Sequence, residues 1–198
     1  MKATNYFSIN QTLLMHSFLS VLCILALAIC LGFFFSYIRK FAASHNPFGA
    51  VLINYLTFVG VFHHELSHAL FAYLTFAKVT VIKLFQFNQK NGALGYVNFI
   101  PRGNFITKSI QKVFISTAPI ITGIISCSLL YTYVRPLAIT ELWSTILFYY
   151  VLISIILHMS LSKPDIKLMK SGIVVVVILL TALFYFAKID FLVLAQTI

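Results

Sequence analysis

The chain has 198 residues, of which 61% are hydrophobic and only 9% charged, with a mean hydropathy of +0.98. These values exclude a soluble globular chain and a disordered one, and they point to a membrane protein. The net charge of +10 does not indicate a nucleic-acid partner, because the basic residues are spread over loops between apolar runs instead of forming one face of a folded domain.

A helix needs about 20 residues to cross a bilayer, and apolar runs of that order cover 12–37, 50–77, 109–133, 141–161 and 171–192. The expected fold class is an all-α polytopic membrane protein, a single membrane domain over residues 1–198 with about five transmembrane helices. The first run reads as a retained anchor rather than a secretory signal, since its apolar part is long and Arg39 and Lys40 follow it instead of leading it. Cys23, Cys30 and Cys127 fall inside apolar spans with no close Cys-x-x-Cys pair, so neither a disulfide framework nor a thiolate metal site is indicated.

The second run carries HHELSHAL, residues 63–70, which places an acid and three histidines in a segment with no other charge between Val51 and Ala77. Unpaired polar groups in lipid cost a few kcal/mol each, roughly. A bare His-Glu-x-x-His also arises by chance in proteins that bind no metal, but in this setting a cation that coordinates the polar groups is the economical explanation. On a helix His64 and His68 lie about 40° apart on one face, one turn from each other, so both imidazoles reach a single ion. Glu65 falls within about 60° of His68, near enough to touch a metal-bound water without being a ligand. His63 points about 100° away from His64 and is assigned an outer-shell or structural role.

Residues 78–112 form the longest polar interruption, and 78–108 are expected to fold as a short interfacial β-hairpin on the cytoplasmic side. VTVIKLFQF and ALGYVNFI are rich in β-branched and aromatic residues, and the turn pair Asn91-Gly92 separates them. Open strand edges are costly in lipid, so the hairpin must lie at the interface, line a wet cavity or pair with another extended segment. A peptide substrate is one such segment, which makes Asn91, Gly92 and Gly95 candidates for substrate strand pairing.

In the third run STAPIITG places Pro119 and Gly123 inside apolar sequence, a kink and a close helix approach of the kind common in membrane helices. The fourth run ends in HMSLSKPDIKLMKSG, where Pro164 interrupts the helix and the chain restarts as the fifth helix with Pro164 and Asp165 in its opening turn. A catalytic zinc site usually has three protein ligands and an open position for water, so a ligand besides the two histidines is needed. Asp165 is preferred, being one of the chain's few carboxylates and placed at a helix break; His158, seven residues earlier, is the alternative ligand or second-shell group. With five spans, Lys2, the basic residues of 78–112 and Lys163, Lys167 and Lys170 share one side, against Arg39, Lys40, Arg135 and Lys188 on the other. The positive-inside bias then puts the N-terminus and the hairpin in the cytoplasm.

HHELSHALFAYLTF resembles the zinc-motif helix of the site-2 protease family of intramembrane zinc metalloproteases. NGALGYVNF and STAPIITG follow it as that family's Gly-containing β segment and small-residue-and-Pro span do. Over roughly residues 50–190 the chain is most similar to small bacterial members that carry HELSHA, LGYV and AP-x-x-x-G. The resemblance implies His64 and His68 as zinc ligands, Glu65 as general base and Asp165 as third ligand. It departs from the family at the last of these, where Ser-Lys-Pro-Asp, with Gly172 seven residues on, stands in place of the usual Asn-x-x-Pro and Leu-Asp-Gly pattern; no PDZ or CBS domain is attached. The expected activity is hydrolysis of peptide bonds in membrane-embedded substrates through a metal-activated water, with Zn2+ as cofactor and a membrane protein or peptide as partner. The expected location is a bacterial cytoplasmic membrane. The alternative is a catalytically inactive zinc-binding membrane protein that binds clients or serves as a structural partner.

Overall fold

The computed structural model describes residues 2–44, 55–86 and 94–188. The expected turn Asn91-Gly92 lies outside them. Helix α1 (Lys2–Ser44) is followed by α2 (Phe58–Leu74), strands β1 (Lys78–Lys83) and β2 (Tyr96–Ile100), and α3 (Phe105–Leu129). After α3 come a π-helical turn (Leu130–Val134), α4 (Arg135–Ala138), α5 (Leu142–His158), α6 (Lys163–Lys170) and α7 (Ile173–Phe186). Among the described residues, two helical stretches, Gln11–Ile38 within α1 and Phe105–Ala138 from α3 through α4, are long and apolar enough to cross a membrane.

The fourth and fifth expected spans differ in form from a simple pair of helices. α5 and α6 are joined by a four-residue break and bent by 51°, and α6 ends after Lys170, so the expected fifth helix is two pieces. The cause of the second break is tertiary. Gly172 sits against the Ser109 carbonyl of α3, where an added Cβ would come within 2.5 Å of that oxygen. Any side chain there would push the α6–α7 turn off α3.

The core lies between α3, α6 and α7, where Val113, Ile120, Leu161, Met169 and Val176 are buried together and Ile29 of α1 packs against them. A second cluster, Ala72, Ala77 and Ile115 with Phe71, Val79 and Phe99, fastens the hairpin to α2 and α3. Gln111 reinforces this junction from inside. It is 1% exposed; its Oε1 accepts from the Arg102 N–H at 2.8 Å, and its Nε2 donates to the Thr75 carbonyl at 2.8 Å. A buried amide with both ends satisfied ties the end of α2 to the exit of β2.

The hairpin is antiparallel, with Lys78 opposite Ile100 and Lys83 opposite Tyr96 and a bulge between Val79 and Val81. From Ala77 the hairpin doubles back along α2, so that Gly95 lies against Glu65 and the Phe85 ring meets Phe58 and Tyr55 at 6.3 and 5.9 Å. Thr75 to Glu65 is about 15 Å along a helix. The hairpin therefore brings extended backbone down to the level of the histidine motif.

Candidate metal centre

α2 presents His64, Glu65 and His68 toward α3, α5 and α6. Its register against α5 is set by two successive contacts one helical turn apart. The Ser154 Oγ accepts from the Gly60 N–H at 2.8 Å and donates to the Thr57 carbonyl at 3.0 Å; a Cβ on Gly60 would overlap the Ser154 carbonyl and lie 2.5 Å from His158 Nδ1. One turn on, His64 Nδ1 is 2.7 Å from the His158 carbonyl oxygen. On the other flank, His68 Nδ1 is 2.7 Å from the Ile115 carbonyl oxygen of α3.

A carbonyl oxygen can only accept, so both Nδ1 atoms are N–H donors, and in the neutral rings both Nε2 atoms carry lone pairs. Those Nε2 atoms face each other at 3.1 Å. Asp165 adds a carboxylate, with Oδ1 at 3.5 Å from His68 Nε2 and Oδ2 at 4.0 Å from His64 Nε2. Converging lone pairs and a negative charge repel one another unless a cation, whether a metal ion or a proton shared on one ring, lies between them. For ligand bonds of about 2.0–2.1 Å, the edge of a coordination tetrahedron is about 3.3 Å; the His64–His68 and His68–Asp165 spacings lie close to it, and the His64–Asp165 spacing of 4.0 Å is longer. Among the described residues, His64, His68 and Asp165 form the one group of this kind, their ligand atoms all within 4.8 Å of one another. Histidine nitrogens with a carboxylate oxygen are a donor set that zinc accepts, and the backbone acceptors behind each ring fix the orientation of both imidazoles.

Asp165 reaches this group through the start of α6. The Ser162 Oγ accepts from the Asp165 N–H at 3.3 Å, while Asp165 Oδ2 accepts from the Ser162 N–H at 2.8 Å and from the Ser162 hydroxyl. This reciprocal capping box satisfies the helix start. It also occupies Oδ2, leaving Oδ1 as the oxygen turned toward His68.

Of the other candidate residues, Glu65 and Gly95 lie beside this group, His158 and His63 turn their rings elsewhere, and Asn91 and Gly92 lie outside the described residues. Glu65 is only 8% exposed and lies outside the ligand set, with its Cγ 2.7 Å from where a Cβ on Gly95 would be. The His158 ring is not brought to the ligands: its Nδ1 lies 3.0 Å from the Ser154 carbonyl, and the residue serves the site through its own backbone oxygen. His63 turns away and meets the Ser126 hydroxyl through Nε2 at 2.9 Å. Ser67 is buried and joins α2 to α3 through Thr122 Oγ1 at 2.5 Å. Ser162 could have been found beforehand from the Ser-x-x-Asp pattern that opens a helix; Ser154 and the two carbonyls leave no such mark. Comparison with known proteins returns no matching family model, no similar curated protein and no similar solved structure.

Proposed function

We propose that the protein is a zinc-dependent intramembrane endopeptidase that hydrolyses peptide bonds of membrane-embedded substrates, held by about five membrane crossings with the N-terminus in the cytoplasm. The observation that carries this reading is the pair of imidazole Nε2 atoms facing each other at 3.1 Å with the Asp165 carboxylate beside them. His64, His68 and Asp165 would hold the ion, which would supply Lewis-acid polarisation of the scissile carbonyl and activation of water. The protein's own residues would do the rest: Glu65 would take the proton from the attacking water, and the same carboxyl would deliver it to the leaving amine.

Peptide hydrolysis also requires an unwound substrate segment. The hairpin offers extended backbone beside Glu65, where main-chain hydrogen bonds to a strand edge can hold such a segment, and the missing side chain of Gly95 lets that backbone lie directly against Glu65. Non-helical backbone at membrane depth is tolerated where it is buried in protein or lines a wet cavity, and the second of these also supplies water.

The test is Glu65→Gln in the full-length protein, with zinc content measured beside cleavage of a reporter membrane helix. Retained zinc with lost cleavage is expected. The burial of Glu65 beneath Gly95 favours a second reading, a zinc-binding membrane protein without hydrolytic activity that holds clients or other subunits. Zinc binding by a wild-type protein that cleaves none of a broad set of reporter helices would select it.

A further inference from the structure

Pro119 is fully buried in α3, and α3 runs from Phe105 to Leu129 without a break at it. Pro119 therefore does not end the helix, and its second effect is on hydrogen bonding. In an α-helix the N–H of each residue bonds the carbonyl four positions before it, and proline has no N–H to give. The carbonyl left without its helical donor is that of Ile115, the oxygen that lies 2.7 Å from His68 Nδ1. Ile115 is 0% exposed, so water cannot replace the missing donor, and a buried carbonyl without one is strongly disfavoured.

We propose that Pro119 is a positioning residue for the metal group: by withholding a backbone N–H, it reserves the Ile115 carbonyl for the Nδ1–H of His68. This fixes the tautomer and the ring plane that turn the Nε2 lone pair toward His64 and Asp165. His64 obtains the same support from a different source. Its acceptor, the His158 carbonyl, lies in the last turn of α5, where helix carbonyls lose their partners because the helix stops. His68 sits one turn further along α2, against the middle of α3, where no helix end is at hand. A proline four residues downstream creates the equivalent of a helix end inside a continuous helix.

The test is Pro119→Ala in the full-length protein. Alanine restores an N–H that competes for the Ile115 oxygen, so helix stability and site order should move in opposite directions. The expected results are a thermal midpoint that holds or rises, zinc affinity lower by roughly tenfold or more, and, in metal-free protein, a His68 15N NMR signature that departs from a pure Nδ1–H tautomer. A backbone ester at position 119, carrying alanine's methyl group without the N–H, should restore both zinc affinity and the tautomer. Unchanged zinc affinity and an unchanged His68 tautomer in Pro119→Ala would overturn the proposal, as would an ester that rescues neither. The zinc arm rests on the metal reading above, whereas the tautomer arm needs no metal. Failure of wild type to bind zinc would remove the first and leave the second intact.

Discussion

The two histidines and Asp165 are held in the same group by different means. His64 and His68 stand on a 17-residue helix wedged between α3 and α5, and each ring is backed by a carbonyl of a neighbouring helix. Asp165 stands on an eight-residue helix between two chain breaks, and its carboxylate is backed only by its own cap. The difference teaches that one half of the site forms with the fold, while the other half depends on a local device that can be removed by itself.

The strongest way to break the comparison is to disturb the rigid half. Gly60→Leu would drive a side chain into the Ser154 carbonyl and the His158 ring, and should cost about 3 kcal/mol or more of stability. Thermal melting in detergent or lipid should show the whole fold affected, with zinc lost as a consequence. Removing single ligands separates the halves more cleanly. His68→Ala should abolish stoichiometric zinc in metal analysis and also leave the Ile115 carbonyl without its donor. Asp165→Ala should weaken zinc while the two preoriented imidazoles still bind it loosely; full zinc affinity in this variant would remove α6 from the site.

A smaller effect is expected at Ser162. Ser162→Ala removes the cap and should cost about 1 kcal/mol, with zinc affinity falling roughly tenfold because the carboxylate is no longer steered. Ser162→Thr, which keeps the hydroxyl, should behave as wild type in the same calorimetric titration. Gly95→Ala, which crowds Glu65 and the carbonyls of Leu84 and Lys83, should cost a comparable amount, roughly 1 kcal/mol or more, and is the smallest in its effect on zinc. Zinc content should not change, while cleavage of a reporter helix should fall. Zinc loss at Gly95→Ala would mean that the hairpin supports the ligands as well as the base.

What the sequence made legible follows the same division. The histidine pair, the acid between them and Asp165 beside Pro164 are all side chains with distinctive letters and spacing, so they could be read directly. Apolar runs showed where helices lie and Asn-Gly flanked by β-branched runs showed a hairpin, because both signals are local. The acceptors behind the rings could not be read, since the Ile115 and His158 oxygens are backbone atoms that any residue would provide. Pro119 was visible only as a kink-former, and its relation to His68 depends on a contact 47 residues away in sequence. The split of the last helix depends on Gly172 meeting Ser109, and the hairpin's path along α2 on the packing of Phe85 against Phe58; neither is encoded within one segment.

Gln111 and Phe85 hold the hairpin at both described ends of its ladder. The Gln111 amide clamps the strands at the Lys78–Ile100 end through Thr75 and Arg102, while near the other end the Phe85 ring packs against Phe58 and Tyr55 and Gly95 lies against Glu65. A peptide strand added to the ladder's edge would therefore meet a rail of fixed register, pinned to the same helix that carries the histidines.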